Sequence, residues 1–113
     1  MDTKNSILYL YGFSPTKSDK SRSLLEILKE QLEQDIKIDI ILIHDGVIRT
    51  TKKGEIPKFL ENLLDLPVTV YAMIPDIKAR GMDPKNLNNQ VKGIGYEDLV
   101  DILVNTQKVV SWM

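Results

Sequence analysis

Residues 37–50 read KIDIILIHDGVIRT. The segment starts as alternation, Lys37-Ile38-Asp39-Ile40, and passes into a continuous run of branched apolar residues from Ile40 to Ile43. A strand with one wet face keeps alternating, whereas a continuous run suits a strand covered on both faces, as in parallel sheets whose crossover helices lie on each side. The run ends on His44, the only histidine of the chain, followed by Asp45 and Gly46. A strand tip that carries a titratable ring, an acid and a glycine is either a reactive centre or a turn. The surrounding sequence has to decide between them.

Working outward, strand-like and helix-like stretches alternate. Ser6–Tyr11, SILYLY, is apolar and β-rich, and the GFSPTKSDKS that follows has the glycine, proline and serine content of a loop. Leu24, Leu25, Leu28 and Leu32 then recur at helical spacing with Ile27 beside them, and Ser23 with Glu26 forms a candidate capping box near the start. Beyond the His-Asp-Gly segment, Ile56, Phe59, Leu60, Leu63 and Leu64 predict a second helix with Pro57 in its first turn. LPVTVYAMI, residues 66–74, predicts a third strand; Pro75 to Arg80 a short helix stopped by Gly81 as a left-handed cap; Asp83 to Gln90 a loop. A brief strand near Val91–Ile94 precedes YEDLVDILVNT, a helix expected to bury Leu99, Val100, Leu103 and Val104, and KVVSWM is a last strand. This alternation predicts one domain over residues 1–113, a three-layer α/β fold with a mostly parallel sheet joined by right-handed crossovers. Ligands of such sheets collect outside the carboxyl ends of the strands, where the strand order reverses. Ser14, His44 and Asp45 all lie beyond carboxyl ends.

Composition bounds the chemistry. At 113 residues, 42% hydrophobic and 27% charged, the chain has the profile of an ordinary globular domain. Its apolar runs fall far below the roughly 20 residues of a membrane helix, so no span is expected. The start, Met-Asp-Thr-Lys-Asn, is polar and the apolar stretch behind it is too short for a secretory signal, which predicts a cytoplasmic protein. Fifteen basic residues against sixteen acidic ones give a net charge of −1, too little positive field for direct nucleic-acid binding by the chain alone. The absence of cysteine excludes disulfides, thiolate metal sites and thiol nucleophiles.

The candidate residues each carry a plain reading beside a functional one. His44 could shuttle protons or simply close a turn. Asp45 can bond the backbone that follows it, and Gly46 is read as supplying a positive φ for the turn. The hydroxyl- and lysine-rich segment after the first strand could cradle a phosphate, yet it lacks the second glycine and the Gly-Lys-Ser/Thr ending of a P-loop. Arg80 stands where a helix dipole favours a cation, or faces a partner as a salt bridge. Trp112 is a core residue or an interface anchor. One histidine with scattered carboxylates gives no metal site.

Three segments, IILIHDGVI, FLENLLDLPVTVYAMIPDIKARGM and YEDLVDILVNTQKVVSWM, together with Ser14-Pro15, resemble the DsrH/TusB family of small sulfur-relay subunits. The likeness covers nearly the whole chain and is strongest from Ile40 to Gly81. It implies a DsrE-like α/β fold, related to flavodoxin-like sheets, and membership of a complex of three related subunit types. Such complexes relay persulfide sulfur toward 2-thiouridine at the tRNA wobble position, or serve sulfur oxidation. In the family the relay runs through cysteines, chiefly those of DsrE/DsrF-like (TusD/TusC-like) sister subunits and in some DsrH members one in the first helix region. Here that region, Ser18 to Gln34, has none, and a residue without a thiol forms no persulfide. The resemblance therefore implies a non-catalytic structural subunit without cofactor or metal, in a homo- or hetero-oligomer with cysteine-bearing sisters. Ser14, His44, Asp45, Gly46, Arg80, Gly81 and Trp112 are its family-motif or interface candidates. The competing readings are a flavodoxin-like enzyme or small-molecule binder using Ser14, His44 and Arg80, and a free-standing homo-oligomer without relay activity.

Overall fold

The computed structural model describes residues 5–14, 18–52 and 54–112. Pro15, part of the Ser14-Pro15 motif, lies outside the described residues. Among the described residues five strands form one sheet: β1 (Ser6–Tyr11), β2 (Lys37–Leu42), β3 (Thr69–Met73), β4 (Val91–Ile94) and β5 (Lys108–Trp112). Every pairing is parallel and the order is β4-β3-β2-β1-β5. The chain steps to one side from β1 through β4, then returns across the sheet to place β5 on the other side of β1. The order thus reverses between β1 and β5.

The outer layers are made, among the described residues, by the helices α1 (Ser18–Leu32), α2 (Lys58–Leu64), α3 (Ile74–Ala79) and α4 (Tyr96–Val104). Register assigns the faces. Ile7, Tyr9 and Tyr11 of β1 sit beside Ile38, Ile40 and Leu42 of β2, and this face packs against Leu24 and Leu28 of α1 and Phe59, Leu60 and Leu63 of α2. Leu8 of β1, Ile41 of β2, Met73 of β3 and Ile94 of β4 point the other way, onto Leu99, Ile102 and Leu103 of α4. The three-layer parallel α/β fold expected from β2's continuous run is the one observed, since all of β2 beyond Lys37 is buried.

Local chemistry explains most boundaries. Gly81 has φ 73°, Gly81 N–H donates to the Lys78 carbonyl at 3.0 Å and Met82 N–H to the Ile77 carbonyl at 3.1 Å, the bond pattern of a Schellman cap closing α3. Pro57, expected in the first turn of α2, stands one residue before it as the N-cap, and Ile56 precedes the helix and is exposed. Two further expectations fail. First, α1 begins five residues before Ser23, so Ser23 and Glu26 lie within the helix and form no capping box at its start. The opening turn is wholly polar, invisible to an apolar period, and carries Asp19 where the helix dipole favours an acid. Second, Val100 and Val104 of α4 are 55% and 77% exposed instead of buried, because the sheet covers only the side of the helix that bears Leu99, Ile102 and Leu103.

Candidate functional site

Two groups of residues stand at the carboxyl ends of the strands. The first follows β2. Residues His44–Val47 form a single 3-10 turn, anchored by Val47, which is fully buried in the core beneath α1 and α2. The left-handed residue of this turn is His44, with φ 48°, and Gly46 has no positive φ. The expected role of Gly46 is thereby corrected. A Cβ at position 46 would collide with the main-chain carbonyl oxygen of Tyr11, the same oxygen that accepts the Ile43 N–H at 3.0 Å. Glycine is required because the turn presses against the end of β1.

A left-handed non-glycine residue costs roughly 1 kcal/mol or more, so something must hold His44 there. Asp76, in the first turn of α3, accepts the His44 backbone N–H on Oδ2 at 3.0 Å. Arg80, one residue past α3, donates from Nη2 and Nε to Asp45 Oδ1 at 3.0 and 3.2 Å, and from Nη1 to the Asp76 carbonyl at 3.3 Å. The Asp45 carboxylate, expected to bond the backbone of its own turn, instead accepts from Arg80, while Arg80 also keeps a contact with its own helix, so the bond joins the two elements. The Asp45 side chain is 60% exposed, so the ion pair is worth at most about 1 kcal/mol; its effect is to fix the angle between the turn and α3. The His44 side chain is exposed, and among the described residues its ring has no hydrogen-bond or ion-pair partner. Gly81 enters this group only as the cap of α3.

The chain beyond the turn is braced in the same region. Thr50 is buried and donates its hydroxyl to the Val47 carbonyl at 2.6 Å. Thr51 bridges Leu87, and the Lys52 and Asn88 N–H groups bond Asn86 and Thr50 carbonyls at 2.6 and 2.8 Å. The loop following β2 and the loop preceding β4 are therefore hydrogen-bonded to each other.

The second group lies where the strand order reverses. An open crevice of about 310 Å³ is lined by Phe13, Lys20, Ser111 and Trp112. Lys20 Nζ stands 5.5 Å from the centre of the Phe13 ring, and Trp112 is partly buried against the core, its ring centre 6.4 Å from that of Tyr11. Tyr11 is fully buried between Phe13, Phe59 and Trp112, and among the described residues its hydroxyl has no hydrogen-bond partner. Burial pushes its pKa up to about 12. Ser14, two residues beyond Gly12, follows the end of β1, and the Gly12 N–H extends the pairing with β5 by donating to the Trp112 carbonyl at 2.7 Å.

The sequence candidates are thus divided. His44, Asp45, Gly46 and Arg80 are brought together at the ends of β2 and β3; Trp112 lines the crevice at β1 and β5, which none of those four reaches. Sequence reasoning missed Asp76, whose signal is its place four residues before Arg80 on one helical face. Among the described residues no group of three or more histidines or acids is placed to hold a metal ion. No described helix is long and apolar enough to cross a membrane.

The architecture has close counterparts among solved structures. The ychN protein from E. coli superimposes with a TM-score of 0.75 at 17% identity, covering 95% of this chain and 98% of that one. The MTH1491 protein from Methanobacterium thermoautotrophicum gives 0.67 at 16% identity, covering 94% and 96%. These likenesses define the class by its fold, a single-sheet parallel α/β protein. Sequence goes further: residues 13–109 match the family model described as DsrH like protein. The chain is 34% identical over 106 residues to Protein TusB of Pectobacterium atrosepticum, covering 94% of this chain and all of that one. It is 36% identical over 90 residues to Protein TusB of Salmonella dublin, covering 80% and 84%. The chain belongs to the DsrH family.

Proposed function

We propose that this chain is a non-catalytic structural subunit of a sulfur-relay complex that serves 2-thiolation of the tRNA wobble uridine. Family membership over residues 13–109 and likeness to proteins named TusB support the relay reading. The single observation that carries the non-catalytic part is chemical: the chain has no cysteine. Relay proceeds by attack of a thiolate on a persulfide sulfur, and this chain supplies neither nucleophile nor carrier. The His44–Arg80 group fits such a role, because its hydrogen bonds hold backbone in place and leave no acid, base and nucleophile converging on one point.

On this reading the cysteine-bearing DsrE/DsrF-like sisters transfer the sulfur and this chain holds them in register. Its place of work is the cytoplasm, where tRNA is modified. His44, Asp45, Gly46, Arg80 and Gly81 shape the loop at the β2 end, and Ser14 and Trp112 belong to the β1–β5 end. The test is omission: a reconstituted relay lacking only this chain should thiolate tRNA at a small fraction of the complete rate and recover when the chain is added back. Full-rate thiolation without it would refute the proposal.

A further inference from the structure

The two faces of the sheet are unequally covered. One carries α1 and α2; the other carries α4 alone, a helix of nine residues. Among the described residues, five large apolar side chains are exposed, and four of them belong to α4 and β5: Tyr96 at 65%, Val100 at 55%, Val104 at 77% and Val109 at 41%. Tyr96, Val100 and Val104 follow one another at intervals of four and so form one ridge of the helix. The next ridge, Leu99 and Leu103, rests on the sheet. The apolar arc of α4 is therefore wider than the surface that covers it.

Val109 continues the ridge. Its register partner on β1 is Leu8, which faces α4, so Val109 lies on the same side of the sheet. Only residues 105–107 separate Val104 from β5. In a right-handed crossover from β4 to β5, a right-handed helix carries that ridge on its flank toward β5. At the end of the sheet β5 has a neighbour on one side only, so its outer backbone groups remain open to pairing. The four side chains expose on the order of 400 Å² of apolar surface, about half of the ~800 Å² that each partner of a standard interface buries. The β5 edge and the polar border are there to supply the rest.

Charge decides the occupant. The charged residues of α4 are Glu97, Asp98 and Asp101, all exposed and all acidic. Lys108, at the start of β5, pairs in register with Ile7 and so belongs to the opposite face. Lys92 of β4, in register with Tyr71, and Lys37 of β2 lie on the α4 side of the sheet but on strands away from the β5 edge, so the charges on the helix that bears the Tyr96–Val100–Val104 ridge are carboxylates alone. Two copies of this chain meeting through that ridge would bring like charges together, an arrangement that costs affinity. We infer that the α4–β5 face docks onto a different subunit, one that presents an apolar strip bordered by lysines and arginines. This rests on the subunit reading above and names the surface through which it operates.

The test uses the full chain and the co-expressed cysteine-bearing sister subunits of the same organism, with binding measured by sedimentation and by titration calorimetry. Val100→Glu and Val104→Glu alter side chains already exposed, and their unfolding midpoints are checked against the parent chain. Each should weaken binding at least roughly thirty-fold. Asp101→Lys should weaken it and flatten its salt dependence, whereas Ile56→Glu, on the loop before α2, should leave it unchanged. If the parent chain binds the sisters and both glutamate variants bind as tightly, the docking face is wrong and the subunit reading stands. If the parent chain does not bind the sisters at all, the subunit reading itself fails. A homodimer that Val100→Glu dissociates would replace the proposed partner with a second copy of this chain.

Discussion

Gly46→Ala isolates the contact that shapes the loop beyond β2. The added methyl group meets the Tyr11 carbonyl oxygen, a main-chain atom that cannot rotate aside. Overpacking costs about 1–3 kcal/mol, and a rigid neighbour puts this case in the upper half of that range. Displacing the carbonyl also weakens the Ile43-to-Tyr11 hydrogen bond, at about 1 kcal/mol. Against this, alanine restricts the unfolded chain and returns about 0.4–1 kcal/mol, since position 46 has no positive φ. The net expectation is a loss of about 2–3 kcal/mol, a sizeable part of the roughly 5–15 kcal/mol that holds a domain of this size together. Urea denaturation followed by circular dichroism should show the midpoint falling by roughly 1 M. Gly54→Ala is the reference: it has φ 80° with no atom within 4 Å of an added Cβ, so backbone strain alone should cost it about 1 kcal/mol. A Gly46→Ala loss below about 0.5 kcal/mol, or below that of Gly54→Ala, would refute the close-approach argument.

Leu28→Ala should cost about 2–5 kcal/mol in the same assay, because Leu28 is fully buried where α1 meets the sheet. Asp39 is buried on β2, and desolvation raises its pKa despite the opposing influence of Lys37, Thr69 and Lys92. A carboxyl whose folded pKa is raised binds its proton more tightly in the native state, so its ionisation costs stability as pH rises through that pKa. Asp39→Asn should therefore be more stable than the parent chain at pH 7, with the difference shrinking as pH falls toward the ordinary carboxylate value; lower stability at pH 7 would contradict this. His44→Ala should leave the rate of transfer through the reconstituted complex unchanged, because the turn uses the backbone of residue 44; abolished transfer with the assembly intact would make the ring catalytic.

What the sequence revealed was local. The continuous run of β2, the Gly81 cap and the span of β4 each depend on a residue and its immediate neighbours, and each was read in place. The start of α1 escapes the sequence because its first turn has no apolar residue to mark a period. The turn geometry that Gly46 suggests belongs to His44, and the atom that requires the glycine, the Tyr11 carbonyl oxygen, comes from a strand distant in sequence. Asp45 and Arg80 were candidates for separate reasons, and only the packing of α3 beside the turn joins them. Val100 and Val104 were expected inside because periodicity shows which residues share an apolar arc, and the width of the covering surface is a property of the whole sheet.

The central claim is that this chain positions a sulfur relay without carrying sulfur. Its most direct test supplies a radiolabelled sulfur donor to the reconstituted complex and separates the subunits before and after reduction. Label that reduction releases should appear on the cysteine-bearing sisters and be absent from this chain, while transfer to tRNA depends on its presence. Reducible label recovered on this chain would contradict the account.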